Sequence, residues 1–356
     1  MTIDPDKLKL YSFQLFSKLE GAVTAAMVNL GDQLGLYEAM KSAATPLTTT
    51  DLAERTGLHE RWVREWAYNQ AAAHLIEVDD HERFSLSEEG AAVLATPDHP
   101  AFGVGSFHRL PELMKSLDRV IDSFSTGLGH DYDSHGPEGA VGIERGFEPW
   151  NNVFLLPTVL PALDGVVDRL TSGASVVDIG CGAGSAVLLM AKAFPKSTFV
   201  GYDISRHALD RANGKLASSG MTNVAFCDPR DSSMVGDHTV ELVTTFDCMH
   251  DMTQPQQMME SIRSALADDG TWLLVDIKAL DTFEQNMRKN PMASLMYGIS
   301  VLSCMSSALS EPGGAGLGTL GLSANVARAM AEQAGFTRFR KLDIDHSINV
   351  FYEVRP

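Results

Sequence analysis

Apolar positions along the chain follow two rhythms, one helical in the first third and one of alternating strands and helices in the second half. From Phe13 the apolar residues Phe16, Leu19, Val23, Met27, Leu30 and Leu34 recur at three- and four-residue steps, with Leu36 just beyond, which predicts a helical stretch with one apolar stripe. That stripe is larger than a small domain can bury alone, so a pairing surface is expected there. The next segment, "LTTTDLAERTGLHERWVREWAYNQAAAHLIEVDDHERFSLSEEGAAVLA", predicts a short helix, a turn at Thr56-Gly57, and a second helix with Trp62, Val63, Trp66 and Ala67 on one stripe. Two short strands, "LIEV" and "RFSLS", follow around the polar turn "DDHE". That order is a winged helix-turn-helix.

From about Ala174 the pattern changes. "ASVVDIG", "TFVGYD", "VAFCD", "VELVTTFD" and "TWLLVDI" read as strands, with the helices "SAVLLMAKAF", "SRHALDRANGKLASSG" and "QPQQMMESIRSALA" between them. Thr253 and Gln256 are placed as a capping box for the last of these helices. A helix "SANVARAMAEQAG" and the strands "RFRKLDID" and "NVFYEVR" finish the chain. Only Asp345 to Ile348 separate those two strands, so they should be antiparallel. The expected architecture is α/β: a Rossmann-like sheet of seven strands, the last antiparallel, behind a mainly helical winged-helix domain. The expected boundaries are residues 1–100 for the winged helix, 101–165 for a helical linker contributing to a substrate pocket, and 166–356 for the sheet domain, with a lid insertion at 280–322.

Charge narrows the partners. The chain of 356 residues carries a formal net charge of −18, and its first hundred residues hold 16 acidic against 8 basic side chains. The predicted second helix of the winged module offers Arg61 and Arg64 against Glu60 and Glu65. A DNA reader needs a basic footprint, so nucleic acid is not an expected partner and dimerisation is the favoured role of the module. The four cysteines form no Cys-x-x-Cys pair. The start lacks a basic region followed by an apolar one, and no apolar run reaches membrane-spanning length, so a soluble, cytoplasmic protein without a membrane partner is expected.

The sharpest chemistry lies in "VVDIGCGAGSAVLL", where a strand runs into Gly180, Gly182 and Gly184 and then into a helix. Such a turn brings backbone close to a ligand, although dinucleotide sites and plain turns share it. Asp178, ahead of the glycines, suits a cofactor that ends in a cationic amino acid better than it suits a pyrophosphate. Asp203 closes "VGYD", where a carboxylate can accept ribose hydroxyls, and Asp228 closes "AFCD", within reach of an adenine. Singly each reads as a cap or turn residue; at the ends of three successive strands they point to one crevice.

These residues resemble a class I S-adenosylmethionine-dependent methyltransferase over roughly Ala174 to Pro356, and the acidic winged-helix front is similar to the homodimeric branch that methylates small molecules, often at oxygen. The resemblance implies Gly180, Cys181, Gly182 and Gly184 against the methionine part of S-adenosylmethionine, with Asp178 near its amino group. It further implies Asp203 and Ile204 at the ribose, Asp228 and Pro229 at the adenine, and Phe246 near the methyl group; S-adenosylhomocysteine would be the product.

In that branch a histidine followed by aspartate and tryptophan acts as general base, and "MHDM" is similar in its first part, with Met252 in place of the tryptophan. His250 is therefore the candidate base, with Asp276 as the acid that orients it and Asp247 beside it. No second orienting acid is found in "GLGTLGLSAN". The alternative for His250 is a helix cap or strand-end hydrogen bond, with methyl transfer driven by alignment alone. A metal held by Asp247, His250 and Asp251 is the poorer reading, because adjacent side chains seldom converge, and no metal is expected.

Two irregular stretches, Ser123 to Leu156 and Asn290 to Gly321, complete the chain. Phe147 and Trp150 on the first, Tyr297 and Met305 on the second, are the candidate acceptor-lining residues, and the glycine-rich part of the second suits a lid. The function expected is methyl transfer to a hydroxyl of a small apolar or aromatic acceptor. Two alternatives stay open: a regulator that senses S-adenosylmethionine, and a catalytically silent binder.

Overall fold

The computed structural model describes residues 3–232, 234 and 237–356. The chain forms two units. One comprises residues 1–111 together with Arg145–Trp150, and the other comprises Glu112–Glu144 and Asn151–Pro356.

In the first unit Asp4 caps a long helix, α1 (Pro5–Gln33), by accepting from the Asp6 and Lys7 amides. The helices α2 (Leu36–Lys41), α3 (Thr49–Thr56), α4 (Glu60–Ala72) and α5 (Glu88–Ala95) and the strand pair β1 (Glu77–Val78) and β2 (Phe84–Ser85) follow. α3 begins in a capping box, Thr48 with Asp51, and ends at Gly57 in the left-handed conformation, as the turn at Thr56-Gly57 predicts. Gly31 lets α1 approach the core: a Cβ there would lie 2.6 Å from the Trp66 ring and 2.7 Å from that of Tyr37. Those two rings meet edge to face at 5.3 Å.

One expected position is corrected. Val63, Trp66, Ala67 and Gln70 form the buried stripe of α4, whereas Trp62 is 79% exposed. Trp62 lies one step outside the arc that its neighbours bury, in the first turn of the helix. Arg61 and Arg64 are each paired with an acid on their own helix, Glu65 and Glu60, at 2.7 and 2.8 Å. Of the apolar series on α1 and α2, Leu36 is buried and Met27 packs against the core, but Phe13 (72%), Phe16 (65%), Leu19, Val23, Leu30 and Leu34 are exposed. The Arg145–Trp150 stretch is tied to this unit by Arg145, whose guanidinium donates to both carboxylate oxygens of Asp32 at 2.5 and 2.8 Å.

The second unit is built on a sheet of β3 (Ser175–Ile179), β4 (Thr198–Tyr202), β5 (Val224–Cys227), β6 (Val240–Phe246), β7 (Leu266–Ile277), β8 (Arg338–Lys341) and β9 (Asn349–Arg355). Their order is β5-β4-β3-β6-β7-β9-β8. The first five are parallel, and β9 runs antiparallel to both β7 and β8. Parallel strands covered on both faces read as continuous apolar runs, which is why "SVVDI" and "WLLVDI" carry so little polarity. Trp272 is fully buried among Met249, Met259, Ile262, Phe336 and Tyr352, and its indole N–H donates to Thr245 Oγ1 at 3.0 Å.

The capping box expected from Thr253 and Gln256 does not form. The helix Pro255–Ala265 starts with Pro255 at its first position and no side-chain cap. Gln256 instead turns its amide toward Met330 O, at 3.3 Å, on the neighbouring helix. The N-cap is Gln254 rather than Thr253, so Gln256 does not stand at the position a capping box requires.

Candidate active site

The strand order reverses at β3, which has β4 on one side and β6 on the other. The connections leaving β3 and β6 therefore diverge and open a crevice at their C-terminal ends. Backbone hydrogen bonds shape the turn after β3: Gly180 and Cys181 amides both donate to Tyr202 O, at 2.8 and 3.0 Å, and Gly184 donates to Cys181 O at 2.9 Å. Gly180, Gly182 and Gly184 have φ of +70°, +54° and +74°, a region that costs any other residue. Packing adds to the restriction at two of them. A Cβ on Gly180 would lie 2.6 Å from Cys248 Cβ, and one on Gly184 2.4 Å from the Phe226 ring, whereas one on Gly182 would meet nothing within 4 Å. The Gly182 face is the one left for a ligand. Cys181 is buried, and burial pushes its thiol pKa well up, so it stays a neutral packing group.

Asp178 is buried within β3 opposite Thr244 of β6, whose hydroxyl donates to it at 2.6 Å. Burial raises its carboxyl to about 7, against the opposing pull of that hydrogen bond. No cation pairs with it among the described residues. Asp203 accepts the Gly182 amide on one oxygen at 2.8 Å and the Ser205 amide on the other at 2.7 Å, so it holds the glycine turn in place. Burial raises its pKa as well. Ile204 follows it, exposed. Asp228 is held below the ordinary carboxylate range by Arg230, which reaches it at 2.6 Å and also donates to Ile204 O. That pairing leaves Asp228 partly engaged; Pro229 beside it and Phe246 at the end of β6 are half-buried.

Beyond β6 the chain turns sharply. Asp247 takes φ +50°, a strained conformation for a non-glycine residue, and its carboxylate accepts from Asn349 Nδ2. Burial first, and the charge of Asp276 second, raise its pKa. This turn delivers His250, 2% exposed, between two acids. Nδ1 lies 2.5 Å from Asp276 Oδ1 at the end of β7, and Nε2 lies 3.0 Å from Asp251 Oδ1 outside hydrogen-bond geometry. Burial alone would lower the imidazole pKa, but Asp276 and Asp251 outweigh it and hold it well above the ordinary histidine range. The structure thus joins His250, Asp276 and Asp247 and supplies the second acid from an unexpected place. Asp251, adjacent in sequence, was read there as a poor metal ligand and not as an acid that orients His250.

The segment 290–321 closes over this group. Its helix Ala293–Ile299 passes through a π turn, Ser300–Cys304, into Met305–Ala308. The glycine-rich part is anchored where Ala315 N donates to Thr253 O at 2.8 Å and Thr319 N donates to Ser300 Oγ at 3.1 Å. The stretch after Ser123 packs on the same segment, with Gly129 N donating to Leu309 O at 2.9 Å and His130 N donating to Ser306 Oγ at 2.9 Å. Of the four acceptor-lining candidates, Tyr297 is partly exposed with its ring 5.9 Å from that of Phe283, and Met305 follows Cys304. Phe147 and Trp150 belong to the stretch that clusters with the first unit. Thr244, Asn349 and Cys304 were missed in sequence, since only the strand register and the long segment's path bring them in.

Residues 170–312 match the model of a methyltransferase domain, and residues 22–96 match that of the Rv2258c-like winged HTH domain. Likeness of fold spans the whole chain. The mitomycin 7-O-methyltransferase MmcR is 19% identical with a TM-score of 0.69, over 99% of both chains. Human N-acetylserotonin methyltransferase, solved in complex with SAM, is 15% identical with a TM-score of 0.67, over 99% of this chain and 98% of that one. An O-methyltransferase family protein from Burkholderia thailandensis is 13% identical with a TM-score of 0.63, over 100% of this chain and 99% of that one. In sequence, an uncharacterized protein of Rickettsia prowazekii (strain Madrid E) is 29% identical over 106 residues, 30% of this chain, and the match spans 19% of that protein's length.

The chain joins a winged-helix domain to a methyltransferase domain with a class I sheet. Its fold is that of the S-adenosylmethionine-dependent O-methyltransferases.

Proposed function

We propose that the protein transfers the methyl group of S-adenosylmethionine to a hydroxyl of a small, largely apolar or aromatic acceptor, with S-adenosylhomocysteine as product. The observation that carries this reading is the adjacency of two sites on neighbouring strands: the Asp178–Gly182–Asp203 crevice at β3 and β4, and the His250–Asp276 pair at the ends of β6 and β7. The crevice fits the donor. Asp178 is a buried carboxyl with no cation of its own, suited to a cationic amino group, the open face of Gly182 admits the methionine chain, and Asp203 can accept from ribose hydroxyls. When bound, the donor supplies an electrophilic methyl carbon on a sulfonium leaving group.

The residues then have separate tasks. The crevice fixes the donor, so the acceptor need only be held in line, a contribution that positioning can make large. His250 takes the hydroxyl proton on Nε2 while Asp276 holds Nδ1 and stabilises the imidazolium. An acceptor reaching Nε2 must displace Asp251. Tyr297 and Met305, on the segment over His250, are assigned to the acceptor side. The shielding of Nε2 by Asp251 favours a second reading, in which alignment alone drives transfer and His250 is structural.

The reading is tested by incubating the protein and methyl-labelled S-adenosylmethionine with an extract of the source cells, then separating small organic molecules from protein and nucleic acid. Label is expected in the organic fraction. Donor binding by calorimetry without any transfer of label would replace the enzyme by a sensor or silent binder.

We also propose a homodimer formed through α1, in the cytoplasm, where the four cysteines, free in the structure, stay reduced. The exposed face of Phe13, Phe16, Leu19 and Val23 supports pairing, because full burial of each such side chain contributes roughly 1.5–3 kcal/mol. No helix among the described residues is long and apolar enough to cross a membrane. The double substitution Phe13→Glu and Phe16→Glu is expected to convert a dimer into a monomer in light scattering after gel filtration, with the helix content retained. A wild-type monomer at micromolar concentration would end the proposal.

A further inference from the structure

We propose that His250, Asp251 and Cys304 form a site for one divalent transition-metal ion, best suited to zinc, and that a bound ion withdraws His250 from proton transfer. All three side chains are buried, and their ligand atoms lie within 4.8 Å of one another. The expectation of no metal rested on adjacent side chains failing to converge and on a missing further ligand. His250 and Asp251 do converge, at 3.0 Å, and Cys304 arrives from the segment that closes over them.

The chemistry of the set is specific. Imidazole nitrogen, carboxylate oxygen and thiolate sulfur are the three zinc donors, at bond lengths of about 2.0–2.3 Å. A tetrahedral ion at those distances holds its ligand atoms roughly 3.3–3.7 Å apart, so the His250–Asp251 pair opens slightly from 3.0 Å while Cys304 closes on it from within 4.8 Å. Three protein ligands would leave the fourth position open. The outer layer is already built: Nδ1 of His250 faces Asp276 at 2.5 Å, the carboxylate–histidine relay that fixes the tautomer and leaves Nε2 for the metal.

A second observation points the same way. Asp251 Oδ1, beside His250, and the Thr319 hydroxyl, beside Cys304, are buried, and among the described residues neither makes a hydrogen bond of good geometry. Buried polar atoms of this kind are uncommon, and a bound ion is one of the groups that satisfies them. Cys304 sits at the end of the π turn Ser300–Cys304, a rare element that is frequent at functional sites. Binding replaces the proton on Nε2 and the proton of the Cys304 thiol, so two protons leave for each ion bound to a site of imidazolium, carboxylate and thiol.

Binding stands independently of methyl transfer; the effect on turnover rests on the proposed role of His250 as base. Metal-stripped full-length protein is titrated with cobalt(II) and then with zinc. One cobalt per chain is expected, with a near-ultraviolet thiolate-to-cobalt charge-transfer band that zinc abolishes by displacement. Cys304→Ser is expected to lose that band, and Asp251→Asn to weaken zinc binding at least tenfold. A wild-type protein without the band, or a band that persists in Cys304→Ser, overturns the site; should Cys304→Ser not fold, the wild-type spectrum and Asp251→Asn decide it. Stoichiometric zinc that leaves methyl transfer unchanged overturns the second half of the proposal and leaves the site standing.

Discussion

Replacing His250 by alanine is expected to lower kcat by about 10²–10⁴-fold, the usual contribution of a positioned general base, with donor affinity unchanged. The direction of its pKa makes the pH profile equally informative. Asp276 and Asp251 hold the imidazole well above the ordinary histidine range, so it becomes free to accept a proton only at higher pH than an ordinary histidine. Turnover should therefore rise with pH along an acidic limb lying above the ordinary histidine pKa of about 6.5. Asp251→Asn removes one of the two raising charges and should move that limb to lower pH. His250→Asn, closer to the imidazole in polarity, guards against a trivial result, because alanine leaves Asp276 and Asp251 buried without their partner. Equal loss of kcat and donor affinity in both variants, with no change of the limb in Asp251→Asn, would make His250 structural.

Most of the second unit was legible because its signals are local. Each parallel strand is an apolar run bounded by turn residues, and the glycines after β3 sit at positive φ whatever binds there. Asp178, Asp203 and Asp228 end or nearly end successive strands, and a parallel sheet brings such positions to one edge. Errors arose where spacing or residue type fits a local pattern that the folded chain does not use. Gln256 fits a capping box by spacing, yet the helix takes Gln254 as its N-cap and Gln256 donates to Met330 O on another helix. Trp62 fits the apolar stripe of α4 by type, but the buried arc is centred on Val63, Trp66, Ala67 and Gln70.

The acids around His250 show the same limit more sharply. Asp276 could be placed because the end of β7 adjoins the end of β6. Asp251 could not, since its approach to Nε2 depends on the strained turn at Asp247 and on the short 3-10 turn Met249–Asp251. Cys304 depends on how its segment packs against the Met249–Asp251 turn, which helical spacing alone does not give, and the π turn that carries it has no sequence signature.

The other large effect falls on the donor. Asp178→Ala is expected to weaken S-adenosylmethionine binding by about 2–5 kcal/mol, the cost of removing one partner from a buried charge pair, which is roughly 30- to 4000-fold in Kd. Isothermal titration measures it directly. The sign of its pH dependence follows from burial. In the free protein Asp178 keeps its proton up to about 7, well above the unfolded carboxylate, so ionised Asp178 is a cost that the empty crevice carries only at higher pH. A cationic donor binds the ionised form, and below pH 7 each binding event must release that proton. Affinity should fall about tenfold for each pH unit below 7 and level off above it, until the donor's own amino group loses its charge near pH 8. Asp203, raised by burial in the same direction, adds to the slope if the donor favours its ionised form too. Asp178→Asn should lose affinity and flatten the profile together, whereas Thr244→Val, which removes the hydrogen bond that favours the ionised carboxyl, should shift the break to higher pH while keeping it. A flat profile in the wild-type protein, or an Asp178→Asn variant that binds the donor as tightly, would mean that the amino group is held elsewhere.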